Sequence, residues 1–189
     1  MTNIEYANTA AAFVNVPTFY EYGGWGQEMT KATLDNLAAQ YPKNKPVNYG
    51  NVGKWGFDCI CFIKGLLSGV TVNHHINSYQ EFKTKCPIGD CTNVEFMNKL
   101  YDCCEPKNAP AGYGLATKEH AAISLGGGRW IDANRNSTQD GVQIHNTGIE
   151  QFTKAGKIPG ITYETETDEK AIITKFLNSI RDAYLNGKI

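Results

Sequence analysis

The sequence predicts one α+β domain in which helices lead and an antiparallel sheet follows. Three observations carry this reading. Apolar residues recur at three- and four-residue steps in the first hundred residues. From about Gly112 the texture changes to short alternating runs broken by glycines. Parallel strand–helix–strand alternation is absent. The 189 residues suffice for one ordinary domain and are too few for two large ones.

The elements are expected in the following order. MTNIEYANTAAAFVNVP has no basic residue ahead of its short Ala-rich stretch and reads poorly as an export signal. TFYEYGGWGQ reads as an aromatic, glycine-rich loop. A helix follows over residues 30–41, with Leu34, Leu37, Ala38 and Tyr41 on one stripe and Pro42 as its stop. YPKNKPVNYGNVGKWG reads as an irregular connection. A second helix is expected from a cap at Asp58 to a glycine stop at Gly69, with Cys59 in its first turn. Two more are expected over 77–85 and 92–104, the latter opened by Thr92 and Glu95 at capping-box spacing. Strands then come from YGLATKEHAAISLGGGRWIDANRN, QDGVQIH and KIPGITY, with Asp140-Gly141 as a hairpin turn. Finally Ile172, Ile173, Phe176, Leu177, Ile180 and Tyr184 share one face of residues 168–186. The expected organisation is one domain over 1–165 and an amphipathic helix over 166–189 packed on it.

Composition removes several classes of function. The chain is 41% hydrophobic and 20% charged, which fits a globular protein. Lys and Arg number 18 against 19 Asp and Glu, a net charge of −1. That balance argues against phosphate-neutralising nucleic-acid binding and against electrostatic adsorption to anionic lipid or wall polymer. No run approaches the ~20 apolar residues of a membrane span. A chain made in the cytoplasm without an export signal is expected to keep its six cysteines reduced. A zinc site among Cys86, Cys91, Cys103 and Cys104 is disfavoured, because adjacent cysteines seldom both reach one tetrahedral ion. No metal or cofactor is expected, and the chain is expected to be a monomer.

Cys59 has the most informative surroundings. A thiol in the first turn of a helix feels the positive end of the dipole and unpaired N–H groups, which favour thiolate. Cys61, two positions on and facing away, reads as a small buried residue. Of the four histidines, His74 and His75 lie in an Asn-rich loop, and His145 ends a short strand with nothing pointing to a role. His120 is different. If Gly126, Gly127 and Gly128 form a three-residue hairpin loop, Leu125 pairs with Arg129 and Ala122 lies opposite Asp132. Alternation then puts His120, Ala122, Ser124, Trp130 and Asp132 on one face, and Ile123, Leu125, Ile131 and Ala133 on the other. His120 and Asp132 become diagonal neighbours, roughly 7–8 Å apart in backbone, with small Ala122 between them. A two- or four-residue loop would separate them. The pattern is a base with its orienting carboxylate, two parts of a Cys-His-acid triad.

These motifs together resemble those of the NlpC-type cell-wall cysteine peptidases. FDCICFIKG resembles that family's Asp-Cys-Ser-Gly nucleophile helix, and HAAISLGGGRWIDA its His-Val-Gly-Ile-Tyr-Leu-Gly hairpin. The family's third polar residue falls twelve positions after its histidine, at Asp132 here. Tyr20-Glu21-Tyr22-Gly23-Gly24 matches its Tyr-x-x-Gly-Gly segment, with the helix of residues 30–41 as an insertion. That layout is similar to a branch of clostridial phage and mobile-element lysins, and GVQIH and KIPGITY fit the same branch. Ile60-Cys61 replaces the family's Ser-Gly. The resemblance covers roughly residues 17–163. It implies a compact papain-like fold and cleavage of peptidoglycan stem peptides, typically between the γ-carboxyl of D-Glu and the diamino acid. It implies action on the wall after release or delivery.

On that reading Cys59 attacks, His120 moves the proton and Asp132 holds the ring. The Cys59 N–H and the Tyr20 hydroxyl bind the oxyanion. Asp58, Trp25, Trp55, Trp130 and Ser124 are the candidates for contacting substrate, with core packing equally open to each tryptophan. The alternatives are an N-acetylmuramoyl-L-alanine amidase using the same triad, a non-catalytic wall-binding or virion module, and a thiol redox or metal protein built on Cys59-Ile60-Cys61.

Overall fold

The computed structural model describes residues 1–43, 48–76 and 78–164. The segment expected to form the closing amphipathic helix lies outside the described residues. What is described is mixed α+β, as expected from sequence, with antiparallel pairing dominant.

The chain opens with a helix, α1 (Asn3–Ala12), in the stretch weighed above only as an export signal. A capping box between Thr2 and Glu5 starts it, and Tyr6, Ala7 and Ala10 are buried. Small alanines on the buried face gave little periodic signal. The aromatic loop expected next contains two short strands, β1 (Thr18–Tyr20) and β2 (Trp25–Glu28). Helix α2 (Lys31–Gln40) follows, within the predicted range and capped by Thr30. The connection after it ends in β3 (Trp55–Phe57), which pairs parallel to β1 and antiparallel to β2. This three-stranded sheet, with its one parallel pair, was not expected. Its function in the fold is positional: Tyr20 stands opposite Phe57, immediately before the next helix.

That helix, α3 (Cys59–Leu67), is almost wholly buried and is capped by Asp58. Helix α4 (Tyr79–Lys85) starts at a Ser78 cap, and α5 (Asn93–Lys99) starts at the Thr92–Glu95 capping box. The expected run of α5 to residue 104 is corrected. Leu100 leaves helical geometry, and Asp102 takes a left-handed φ of 47°. Tyr101–Cys104 forms strand β4, whose ladder partner is β9 (Lys154–Lys157). The third expected sheet segment, KIPGITY, accordingly lies mostly beyond a strand that ends at Lys157.

The remaining strands are β5 (Gly114–Ala116), β6 (Ala121–Gly126), β7 (Arg129–Arg135) and β8 (Asp140–His145). The six-stranded sheet runs β4-β9-β5-β6-β7-β8, antiparallel throughout. One face carries Ala121, Ile123, Ile131 and Ala133 into the main core with Phe57, Phe62, Ile63 and Leu66. The other carries Ala122 and Trp130 into a smaller cluster with Ile149 and Phe152. The alternation read from HAAISLGGGRWIDA therefore matches the two faces.

Both hairpins differ in detail from expectation. Ile123 pairs with Ile131 and Ser124 with Trp130 as predicted, but Gly126, not Leu125, pairs with Arg129. Leu125 is the extra residue of a bulge, and the glycines at 126, 127 and 128 all hold positive φ. The second turn is not Asp140-Gly141. Arg135 pairs with Asp140, and the loop is closed by Asn136, whose Oδ1 accepts from the N–H groups of Thr138 and Gln139 at 2.8 and 2.9 Å.

Gly141 serves a different purpose. It has φ of 113°, and a Cβ there would meet Thr18 Oγ1 at 2.6 Å and the Thr18 carbonyl at 2.8 Å. Thr18 Oγ1 also accepts from Val142 N–H at 2.9 Å, so this close approach docks β1 onto β8. Gly141→Ala is expected to cost about 2–3 kcal/mol. Gly127→Ala, at φ 62° with nothing within 4 Å, is expected to cost only about 1 kcal/mol. Urea midpoints of the two variants check the ranking.

Candidate active site

Cys59 is placed by its cap. Asp58 Oδ1 accepts from Cys61 N–H at 2.6 Å and Oδ2 from Gly23 N–H at 3.0 Å, tying the start of α3 to the loop after β1. Burial pushes the Asp58 carboxyl up, and these two N–H groups pull it back. With Cys61 N–H taken, the N–H groups of Cys59 and Ile60 remain the first-turn donors without an intrahelical partner. Burial and then Asp58 push the Cys61 thiol well above its ordinary value, leaving it a neutral buried group.

His120 precedes β6 and reaches Asp132 on β7: its Nε2–H donates to Asp132 Oδ2 at 2.7 Å. The diagonal geometry deduced from the hairpin is therefore present. With Nε2 committed, Nδ1 is the ring nitrogen left for a second partner, and the Cys59 side chain is near enough to act on the ring. Burial lowers the ring's basicity, but the Asp132 hydrogen bond and the influence of the neighbouring Cys59 outweigh it. The pKa is raised to about 9. Thus a thiol, an imidazole and a fully buried carboxylate are brought together, the ring bonded to the carboxylate and neighbouring the thiol.

Tyr20 completes the group. Its N–H donates to Asp140 Oδ1 at 2.9 Å, its carbonyl accepts from the Arg135 guanidinium, and the guanidinium lies 5.8 Å from its ring centroid. Burial first, then the neighbouring Cys59 and Asp58, hold its phenol far above the ordinary value, so it remains a donor. Tyr20, Asp58 and Cys59 line a cleft of about 440 Å3, with Tyr22, Tyr41 and Tyr79. Lys64 borders the same cleft, where it is held by Asp90 Oδ1 at 2.9 Å and the Cys91 carbonyl at 3.2 Å.

Four expected substrate contacts lie elsewhere. Trp25 packs on Phe82 at 5.7 Å between centroids, and Trp55 packs edge-on to Phe13 at 5.6 Å. Trp130 is buried, stacks on His145 and donates its indole N–H to the Thr147 carbonyl at 2.8 Å. Ser124 is fully buried and donates to the Ala109 carbonyl at 2.8 Å. Each has been taken by the core or by a backbone partner, and none borders the cleft. The aromatic lining comes instead from tyrosines.

Two neighbours of the site were missed. Asn93, the first residue of α5, donates from Nδ2 to the Glu119 carbonyl at 2.8 Å and lies 3.6 Å from Cys59 Sγ. It ties α5 to the loop that carries His120, and no sequence signal pointed to it. His145 is the second, and its Nε2–H donates to Asp132 Oδ1 at 2.9 Å. All six cysteines are free. Among the described residues no cluster of three or more His, Cys, Asp or Glu side chains is placed to hold a metal ion, and no helix is long and apolar enough to cross a membrane.

No known family model matches this chain, and no curated protein matches it at a significant level.

Proposed function

We propose that the chain is a cysteine peptidase with a papain-like fold of the NlpC type, acting on amide bonds of peptidoglycan stem peptides. The observation that carries this is the Cys59–His120–Asp132 line beside a cleft, with the thiol at a helix N-terminus. Thiolate Cys59 attacks the scissile carbonyl. The first-turn N–H groups and the Tyr20 hydroxyl receive the developing oxyanion. Protonated His120 gives its proton to the leaving amine, then takes one from the water that releases the acyl group. Asp132 fixes the ring and offsets its charge throughout. The substrate class rests on the motif resemblance, with the bond between the D-Glu γ-carboxyl and the diamino acid as the first candidate.

The test is digestion of purified sacculi. New amino groups should appear without new reducing sugar ends, and should not appear with the resting thiol alkylated. Reducing ends alone would identify a glycan-cutting activity and sink the proposal.

A pH dependence follows from the raised His120 pKa. The working form has the ring protonated, so kcat/KM is expected to fall as pH rises through about 9. A pH–rate profile on a soluble stem peptide checks it; a fall centred near 6.5, the ordinary imidazole value, would contradict it.

A further inference from the structure

Asp132 does more than accept one hydrogen bond. Oδ2 takes His120, while Oδ1 takes His145 Nε2–H at 2.9 Å and Gln139 Nε2 at 3.0 Å. Gln139 also donates to the Gly141 carbonyl at 3.0 Å, so both its amide hydrogens are used on acceptors. Its own Oε1 is buried without a partner among the described residues. An unpaired buried acceptor is costly, and here it accompanies an amide turned to hold Asp132. His145 is itself held: its ring lies parallel to the Trp130 indole, 3.8 Å between centroids and 14° between planes, and that indole is pinned to the Thr147 carbonyl at 2.8 Å.

The terminal torsion of an aspartate is soft and roughly two-fold. A carboxylate with one partner could turn and release the ring it orients. We propose that His145 is a positioning residue that acts through Asp132: sharing Oδ1 with Gln139, it adds from the neighbouring strand the second donor that keeps Oδ2 on His120 Nε2 and so leaves His120 Nδ1 free for Cys59. The inference rests on the proposed reading of Cys59, His120 and Asp132 as one reactive unit. Cys59 from α3 and Asp132 from β7 are the titratable groups acting on the His120 ring, and Asp132 is the one that His145 meets.

The test needs no wall substrate, so its failure is distinct from failure of the peptidase reading. His145→Phe keeps a flat ring against Trp130 and removes the donor; His145→Gln offers an N–H donor again. The rate of Cys59 alkylation by iodoacetamide near neutral pH should fall on the order of 10- to 100-fold in His145→Phe, the size of effect expected for a misplaced reacting group. It should recover in His145→Gln. Nitrogen NMR of the imidazoles at about pH 10, above the His120 pKa of about 9, should show the neutral His120 ring losing its single Nε2–H tautomer in His145→Phe. Alkylation within twofold of the parent, with the His120 tautomer unchanged in a folded variant, would overturn the proposal. Should His145→Phe fail to fold, the parent protein decides: His145 must itself be an Nε2–H tautomer, and a predominantly Nδ1–H ring would refute the role.

Discussion

His120→Gln is expected to lower turnover by up to about 10^6-fold, the loss seen when the base of an interdependent triad is removed. Nε2 of this ring is spent on Asp132, which leaves Nδ1 for the neighbouring thiol, and among the described residues no second base stands ready to replace it. His145 stands on the far oxygen of Asp132 and is already occupied there. Glutamine rather than alanine is the sharper substitution, because it can still donate to Asp132 Oδ2. Without such a donor a fully buried carboxylate oxygen would lose its partner, at a cost of about 1–3 kcal/mol, and instability would be confused with lost chemistry. Alkylation of Cys59 and stem-peptide turnover should fall together, while the urea midpoint at pH 10, where the stability from the raised His120 pKa is gone, stays near that of the parent.

Asp132→Asn should come next in size, about 10^4-fold in kcat, because an amide can present its N–H groups to the ring and select the wrong tautomer. A second effect separates it from a merely loosened fold. The Asp132 hydrogen bond is the largest influence raising the His120 pKa to about 9. In the variant the midpoint should therefore move down toward about 6.5. The sign carries into stability. A histidine whose pKa rises on folding contributes stability that is full below about pH 6.5 and is lost as pH rises through about 9. The parent's advantage over Asp132→Asn from this source should shrink across that window. Urea midpoints at pH 6 and pH 10 measure it, and an advantage that grows with pH would contradict the assignment.

The central line of the site was legible because it depends on local rules. Asp58 followed by an apolar helical run places Cys59 in a first turn, and a glycine hairpin with alternating flanks puts His120 and Asp132 on one face. The turn itself has only two residues, Gly127 and Gly128, and the extra residue of the bulge at Leu125 restores the predicted pairing beyond it. His145 was hidden by one wrong turn. With Asp140-Gly141 as the loop, residue 145 falls away from Asp132; with the loop at 136–139, Trp130 stands opposite His145 and Asp132 becomes its diagonal neighbour. Asn93 and the cleft residues Tyr41 and Tyr79 were illegible for another reason: helices and loops distant in sequence bring them in, and spacing carries no trace of that. The tryptophans left both readings open because a large aromatic looks the same in sequence whether it lines a groove or fills a core.

The most direct test of the account is mass spectrometry of defined stem peptides incubated with the reduced protein and with Cys59→Ala. The account predicts one new pair of fragments, flanking a single amide bond, formed by the parent and absent with the variant. Intact peptides after incubation with folded, reduced parent protein across several stem chemistries, or equal fragments from both proteins, would contradict it.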